Sequence, residues 1–438
     1  MTYRVRIAAL STMLLWANAA LTAQTTALPS SANSGTPAPA HAAAEAQPPP
    51  PEKKESFEET WLSFENKAIS AKWGWMLMFD GMAMTQDSTN EQQVGHVPAK
   101  GEPRADRFYI SGQIKFPKPW TYFVGTNYNG LDAEPDAKFS WMDIAVDIPL
   151  TSWLGSVKVG RQKVGVSQEW IMPGADWIFM ERSGAANAFI PQRNIGLRLH
   201  RSFANGRATY SAGAFNDWFM NDRSFSANGS QYTGRFEFVP VDRDADQTVV
   251  SVAGGVYYKE KTDGTLQYRS RPETNQAPYF VDTTKFEGNH STTTQFELMA
   301  MSGPTQVFGE LMLTPVNAPT VGNPLFYGGF VGASHFLTGE HRTFNREDGH
   351  YVSKFKPRSP FGFGHVGTGA WEVSGRYSYV DLTDGAVDGG VMSRLTGAIS
   401  WYPEEHWRIE FNYGHGILDR DGQRGRFNVF QGRAQFGF

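Results

Sequence analysis

The sequence predicts an all-β protein, a transmembrane antiparallel β-barrel of about 16 strands. From about residue 66 onward, apolar and polar residues alternate with a period of two. Many alternating segments run for about ten residues or more, which suits the roughly 9–11 residues that a tilted strand needs to cross a bilayer. Aromatic residues make up 14% of the chain and cluster at predicted strand ends, where membrane barrels carry interfacial girdles. Long connections also alternate with tight turns, as in such barrels.

The composition of the 438-residue chain excludes several other classes of protein. The absence of cysteine rules out disulfides, thiolate zinc sites and cysteine nucleophiles. A formal net charge of −4 offers no basic surface for nucleic acid. No stretch reaches the roughly 20 continuous apolar residues of a membrane helix. The histidines are scattered and no Ser–His–acid set stands out, so we expect no metal, no cofactor and no enzymatic activity.

The first 65 residues are expected to lie outside the barrel. Residues 1–23 have the basic start, short apolar core and small cleavage-site residues of a secretory signal peptide, and a single anchoring helix is the alternative. Residues 24–65 form an Ala/Pro-rich leader that is expected to be disordered, although its last part could form a short amphipathic helix. The barrel is therefore expected over residues 66–438.

The alternation yields sixteen strand segments, and an even number places both barrel ends on the periplasmic side. The weakest of these segments is 264–270, and long extracellular connections are expected over 217–247 and 271–289. The connection 338–369 falls on the side of the tight turns, and nothing in the sequence explains its length. The alternative is a soluble periplasmic β-protein that turns its apolar face inward.

A loop rich in large rings follows the fifth predicted strand. This segment, 164–193, combines charged residues with apolar rings that a solvated loop does not need, among them Glu169, Trp170, Trp177 and Glu181. A 16-stranded barrel encloses a wide aqueous channel, which must be narrowed if it is to select solutes. We therefore expect this third loop to fold into the lumen as a constriction, and an outward loop that contacts other subunits is the alternative.

Strand parity assigns more basic than acidic side chains to the inner face, although the chain as a whole is acidic. Tracks of Arg and Lys select anions, and the guanidinium group suits phosphate geometry. The alternative is that these charges pair across neighbouring strands and only rigidify the wall. The basic candidates are Arg107, Lys115, Lys158, Arg198, Arg376, Arg394, Arg408 and Arg433.

The chain ends on alternating apolar residues, with Phe436 and Phe438 last. This ending is the pattern read by the machinery that assembles barrels in the outer membrane of Gram-negative bacteria. We therefore expect that machinery and outer-membrane lipid as partners.

Several sequence blocks carry a family resemblance. Val159-Gly160-Arg161 closes the fifth predicted strand, and Met180-Glu181-Arg182 lies in the loop after it. Further blocks are Leu337-Thr338-Gly339-Glu340, Trp371-Glu372-Val373 and Phe436-Gly437-Phe438. Over residues 66–438 these blocks resemble the phosphate-selective porin O/P family of outer-membrane channels.

The resemblance implies a homotrimer of 16-stranded barrels, each with its third loop folded inward. It also implies passive uptake of phosphate or polyphosphate along basic residues, for which it suggests Arg104, Arg107, Arg161 and Arg182. The function predicted is thus an outer-membrane porin whose water-filled channel passes small anions such as phosphate. The alternative is a general or carbohydrate-preferring porin with structural wall charges, and a barrel enzyme or adhesin is a third hypothesis.

Overall fold

Sixteen strands form one closed antiparallel sheet in the computed structural model, which describes residues 62–128, 139–191, 193–217, 229–243, 247–261, 264–352, 355–362 and 364–438. The first eight strands are β1 (Ile69–Gln86), β2 (Lys100–Ile114), β3 (Trp120–Tyr128), β4 (Phe139–Pro149), β5 (Ser156–Gln162), β6 (Asn194–Phe203), β7 (Ala208–Asn216) and β8 (Ser230–Arg243). The other eight are β9 (Thr248–Glu260), β10 (His290–Ser302), β11 (Thr305–Asn317), β12 (Leu325–Phe336), β13 (Ala370–Asp384), β14 (Val387–Tyr402), β15 (Trp407–Arg420) and β16 (Gln423–Gly437).

The sheet closes because the first strand pairs with both the second and the last. Gly81 of β1 lies opposite Gly101 of β2 on one side and opposite Gly432 of β16 on the other. Closure gives hydrogen-bond partners to the backbone N–H and C=O groups that an open sheet edge would leave unpaired in the hydrocarbon of a membrane. The prediction of a 16-stranded antiparallel barrel is confirmed.

The two faces of the barrel wall have opposite character. On the outside, Phe79, Phe296 and Phe411 are 55%, 54% and 65% exposed. On the inside, Arg394 and Glu410 are 1% and 0% exposed. A soluble β-protein would bury the rings and expose the charges, so this arrangement favours the membrane barrel over the soluble alternative.

The number of predicted strands is correct, but one of them was wrongly placed. Residues 264–270 do not join the barrel, because Thr265–Leu266 and Arg269–Ser270 pair instead with Phe286–Glu287 and Val281–Asp282. The missing barrel strand is β8, which lies within the connection predicted over 217–247. It alternates as the other strands do, with Tyr232, Phe236 and Phe238 exposed and Thr233, Arg235 and Glu237 buried.

The N-terminal part of the described chain adds a short strand to the barrel. Ser63–Glu65 pairs with the beginning of β1, so regular structure begins before the predicted boundary at 66. Only residues 62–65 of the predicted leader are described, and they form a strand and no helix. The predicted signal peptide lies outside the described residues.

Helices are short and lie in the connections. They are α1 (Ser88–Val94) after β1, and α2 (Gln168–Ile171), a 3-10 turn (Gly174–Asp176) and α3 (Gly184–Phe189) between β5 and β6. A further 3-10 turn, Pro319–Val321, follows β11. Throughout the described chain, no helix has the length and apolar character needed to span a membrane.

We call the end of the barrel where β1 begins and β16 ends the terminal end, and the other end the loop end. The third loop (163–193) and the fifth loop (261–289) leave from the loop end, and the 337–369 connection leaves from the terminal end. Apolar side chains of the two loops form a core with wall residues. Phe189 lies 6.1 Å from Tyr268, and Phe280 lies 4.8 Å from Phe427 of β16, between ring centroids.

Candidate functional site

The third loop is hydrogen-bonded to many strands of the barrel wall, as four contacts illustrate. The backbone N–H of Glu169 donates to the carboxylate of Glu310 in β11 at 2.8 Å. Arg376 of β13 donates to the Glu169 carboxylate at 3.1 Å. Arg408 of β15 and Arg433 of β16 donate to backbone carbonyls of the loop, at Ile178 and Met180. The partners are buried wall residues, on the face opposite to the exposed rings.

Trp170 and Trp177, the two rings predicted to form the constriction, both contact the guanidinium group of Arg182 in the same loop. The Arg182 guanidinium carbon lies 3.5 Å from the ring centroid of Trp170 and 4.0 Å from that of Trp177. Its Nε donates to the Glu169 carbonyl at 2.8 Å, and the side chain is buried. Arg182 therefore organises the loop from within and does not face open channel.

The two predicted loop carboxylates are both ionic anchors. Glu181 accepts from Arg104 at 2.6 Å and from Arg433 at 2.9 Å. Glu169 accepts from Arg376 and from the Ser183 hydroxyl at 2.6 Å. Burial raises the pKa of the Glu169 carboxyl, and Arg376 and Ser183 oppose that effect.

The fifth loop makes similar contacts, which the sequence analysis missed. Glu273 accepts from Arg376 at 2.6 Å and from Ser378 at 2.5 Å. Arg394 donates to the Pro272 carbonyl, and its Nε lies 3.8 Å from the Glu273 carboxylate. Burial on its own would raise the pKa of Glu273, but Arg376 and Arg394 hold it below the usual value. One feature of the sequence could have indicated these contacts. The connection predicted over 271–289 contains apolar residues, including Phe280, that a solvated loop does not need.

The long 337–369 connection is fixed to the wall at the terminal end. Arg342 forms a bidentate ion pair with Glu372 of β13. Arg346 donates to both carboxylate oxygens of Asp242 in β8, at 2.8 and 2.6 Å. The connection is therefore held by buried or half-buried charge pairs on two parts of the wall.

Five of the predicted basic candidates are committed to these anchoring contacts. Their side chains are between 1% and 3% exposed, and each contacts a carboxylate or a loop carbonyl. The members of this anchoring group are Arg104, Arg376, Arg394, Arg408 and Arg433. Lys115 lies apart from them at the terminal end, where it pairs with Glu65 at 2.5 Å.

A second group of basic residues has different surroundings. It lies on β2, β5, β6 and the two ends of the third loop, and we call it the basic face. Apart from the buried Arg161, its side chains are half-buried. The members are Arg107, Lys158, Arg161, Lys163, Arg193 and Arg198.

Lys158 and Arg198 lie directly opposite each other in the β5–β6 register. In the part of the chain that the structure describes, neither charged group has a hydrogen-bond or ion-pair partner. Like charges in this position destabilise a sheet. The carboxylates of the neighbouring strand β4 are engaged elsewhere, because Asp143 pairs with Arg193 at 2.5 Å and Asp147 pairs with His200 at 2.7 Å.

The basic face continues into the third loop. The Lys163 ammonium donates to the carbonyls of Ile171 at 3.3 Å and Met172 at 2.7 Å. Burial lowers its pKa well below the usual value, and the neighbouring charges of Arg193 and Arg182 add to the effect. Lys163 and Arg193 were missed by the sequence analysis, although Lys163 ends one predicted strand and Arg193 directly precedes the next.

The C-terminal residues complete the closure of the barrel. The Phe438 N–H donates to the Trp75 carbonyl at 3.0 Å, and the Phe438 carbonyl accepts from the Tyr109 hydroxyl at 2.8 Å. The ring of Phe436 lies 4.8 Å from that of Trp407, between centroids.

Among the described residues, no group of histidine and acidic side chains has the arrangement of a metal site.

Comparisons of the sequence point to one family. A family model described as phosphate-selective porin O and P matches residues 85–438. An uncharacterized protein of Caulobacter vibrioides is 27% identical over 307 residues, which are 65% of this chain and 59% of the relative. The match thus spans less than two thirds of that relative's length.

Solved outer-membrane proteins share the fold at low sequence identity. The anion-selective porin from Comamonas acidovorans is 12% identical, with a TM-score of 0.51 over 84% of this chain and 100% of that one. The outer membrane channel DcaP of Acinetobacter baumannii is 10% identical, with a TM-score of 0.51 over 86% and 99%. OmpT, an outer membrane protein of Vibrio cholerae, is 11% identical, with a TM-score of 0.51 over 86% and 99%.

Proposed function

The chain belongs to the phosphate-selective porin O and P family, whose members form outer-membrane β-barrel channels, and from this premise we propose that it passes small anions, with phosphate or polyphosphate favoured. The family and the barrel fold are those of a channel rather than an enzyme.

The conducting path in this proposal follows the basic face. The anchoring group is buried against carboxylates and loop carbonyls, which leaves it unavailable to a passing solute. The half-buried members of the basic face keep part of their surface accessible. A track of positive charge replaces the water around an anion with charge-assisted hydrogen bonds.

The observation that carries the proposal is the neighbouring pair Lys158 and Arg198. Two cations side by side, without a hydrogen-bonded carboxylate in the described residues, raise the energy of the empty protein. An anion between them would relieve that repulsion. A role limited to stiffening the wall would instead favour an acid in one of the two positions.

The third and fifth loops act as the constriction in this proposal. Their hydrogen bonds to Arg376, Arg394 and Arg408 support a position on the lumen face of β13, β14 and β15. Loops held there would narrow the channel toward β2–β6, where the basic face lies. We further propose that the chain forms a homotrimer and that Phe436 and Phe438 are read during barrel assembly.

Reversal potentials across planar bilayers in a salt gradient test the function. We expect the wild-type current to be carried mainly by anions. Lys158→Gln combined with Arg198→Gln should reduce the ratio of anion to cation permeability about thirtyfold, since each of the two charges changes the energy of a nearby ion by about 1 kcal/mol. Lys67→Gln removes one exposed charge away from the basic face and should leave the ratio unchanged.

The anchoring arginines favour a second candidate function, a general or carbohydrate-preferring porin. Five predicted pore arginines have structural contacts, as that alternative expects. If this alternative holds, the wild-type reversal potential will lie near zero and the double variant will not change it. A wild-type current carried by cations would contradict the anion channel outright.

A further inference from the structure

The tip of a hairpin in the 337–369 connection is rigidly built. Thr343–Asn345 pairs with His350–Val352, and residues 346–349 form the tip between them. The Asn345 side chain accepts from the Glu347 N–H at 2.9 Å, and its carbonyl accepts from the Gly349 N–H at 2.9 Å. Gly349 has a φ of 71°, which glycine adopts without strain. The geometry of the tip is therefore set by its own sequence.

The barrel wall holds this tip on both sides of Asp348. Before it, Arg346 is bound to Asp242, and the Arg346 carbonyl accepts from the Ser202 hydroxyl at 2.8 Å. After it, the Gly349 carbonyl accepts from Arg235 at 3.2 Å. The backbone at Asp348 is thus fixed between β6 and β8.

The Asp348 side chain has no such fixation. It is exposed, and its carboxylate forms no hydrogen bond or ion pair among the described residues. The surrounding protein on its own would raise the pKa of this carboxyl, but nearby positive charge holds it below the usual value. The basic neighbours responsible, in order of effect, are Arg198, His350, Lys158 and His200.

Ser202, whose hydroxyl holds the tip, lies four residues after Arg198 on the same face of β6, and Arg198 lies opposite Lys158. The anchored tip therefore presents the Asp348 carboxylate on the side of the wall that carries these two cations. The geometry points to Asp348 as a tethered counter-anion, which competes with the diffusing anion for the site formed by Lys158 and Arg198 at the terminal end of the basic face. This inference rests on the proposed function. It makes Asp348 a specificity-determining residue that weakens anion binding and so permits release.

Asp348→Asn in the full-length channel tests this inference, with inorganic phosphate as the probe. The measurement is the phosphate concentration that halves the chloride conductance at constant pH. We expect that concentration to fall about threefold or more in the variant, because the site no longer holds its own carboxylate. Asp348→Glu keeps the charge and should behave as the wild type does.

Glu347→Gln is the matched control, because it removes the same charge from the neighbouring exposed position of the same tip. Asp348→Asn should also lose its effect in the Lys158→Gln and Arg198→Gln background. An anion-selective wild type in which Asp348→Asn and Glu347→Gln behave alike would overturn this inference and leave the proposed function standing. A cation-carried wild-type current would overturn the proposed function itself.

Discussion

The charged residues of the barrel interior fall into two groups that differ in what surrounds each side chain. The anchoring arginines are buried, and each contacts a carboxylate or a carbonyl of a loop, as Arg433 does with Glu181. A buried ion pair stabilises a protein little more than a pair of packed apolar side chains would. Removal of one partner, however, leaves the other charge buried and unpaired, which is strongly destabilising. The basic face has the opposite property, because Lys158 and Arg198 hold their charge without a bonded acid in the described chain.

Glu181 provides the residue-level test of the anchoring group. Glu181→Ala removes the partner shared by Arg104 and Arg433 and should lower the free energy of unfolding by about 3–5 kcal/mol. The measurement is the temperature at which the folded barrel converts to the unfolded band on a gel. Glu287→Ala, at an exposed position of the fifth loop, should change stability by no more than about 0.5 kcal/mol. Equal transition temperatures for the two variants would show that Glu181 is not an anchor.

At the scale of elements, strands were easier to predict than loop contacts. Alternation is local in sequence, so it can be read from a single segment. It was misread at β8, where Arg235 and Glu237 point inward and Pro240 suggests a loop. The loop contacts depend on partners far apart in the chain, such as Glu273 and Arg376 at a separation of 103 residues. Nothing local in the sequence indicates which arginine meets which loop.

The fifth loop should respond to acid. The folded-state pKa of Glu273 lies below the ordinary value of 4.5, so its ion pairs stabilise the loop fully above that value. The stabilisation is lost as the pH falls through the lowered pKa. Single-channel conductance of the wild type should therefore rise as the pH falls below 4.5 and through the lowered pKa, because the loop then leaves the wall.

Glu273→Gln should remove that acid response. Its conductance near pH 7 should already exceed that of the wild type, because the ion pairs with Arg376 and Arg394 are absent at every pH. Glu287→Gln, in the same loop at an exposed position, should keep the wild-type profile. A Glu273→Gln channel whose conductance still rises in acid would mean that another group holds the loop.

For the whole molecule, the sequence predicted the closed barrel because each face of every strand must match its surroundings. Rings such as Phe411 and Phe296 repeat on the outer face, and charges repeat on the inner one. The division of the inner charges into the anchoring group and the basic face was not predictable. That division depends on which wall residues the third loop, the fifth loop and the 337–369 connection contact.

Cysteine labelling in lipid bilayers tests the central claim most directly, since the chain contains no cysteine of its own. The account predicts that Lys158→Cys reacts with a water-soluble anionic thiol reagent faster than with a cationic one of similar size. It also predicts that Phe411→Cys is protected from both reagents by the lipid. Rapid labelling of Phe411→Cys, together with a preference of Lys158→Cys for the cationic reagent, would contradict an apolar exterior around an anion-selective channel.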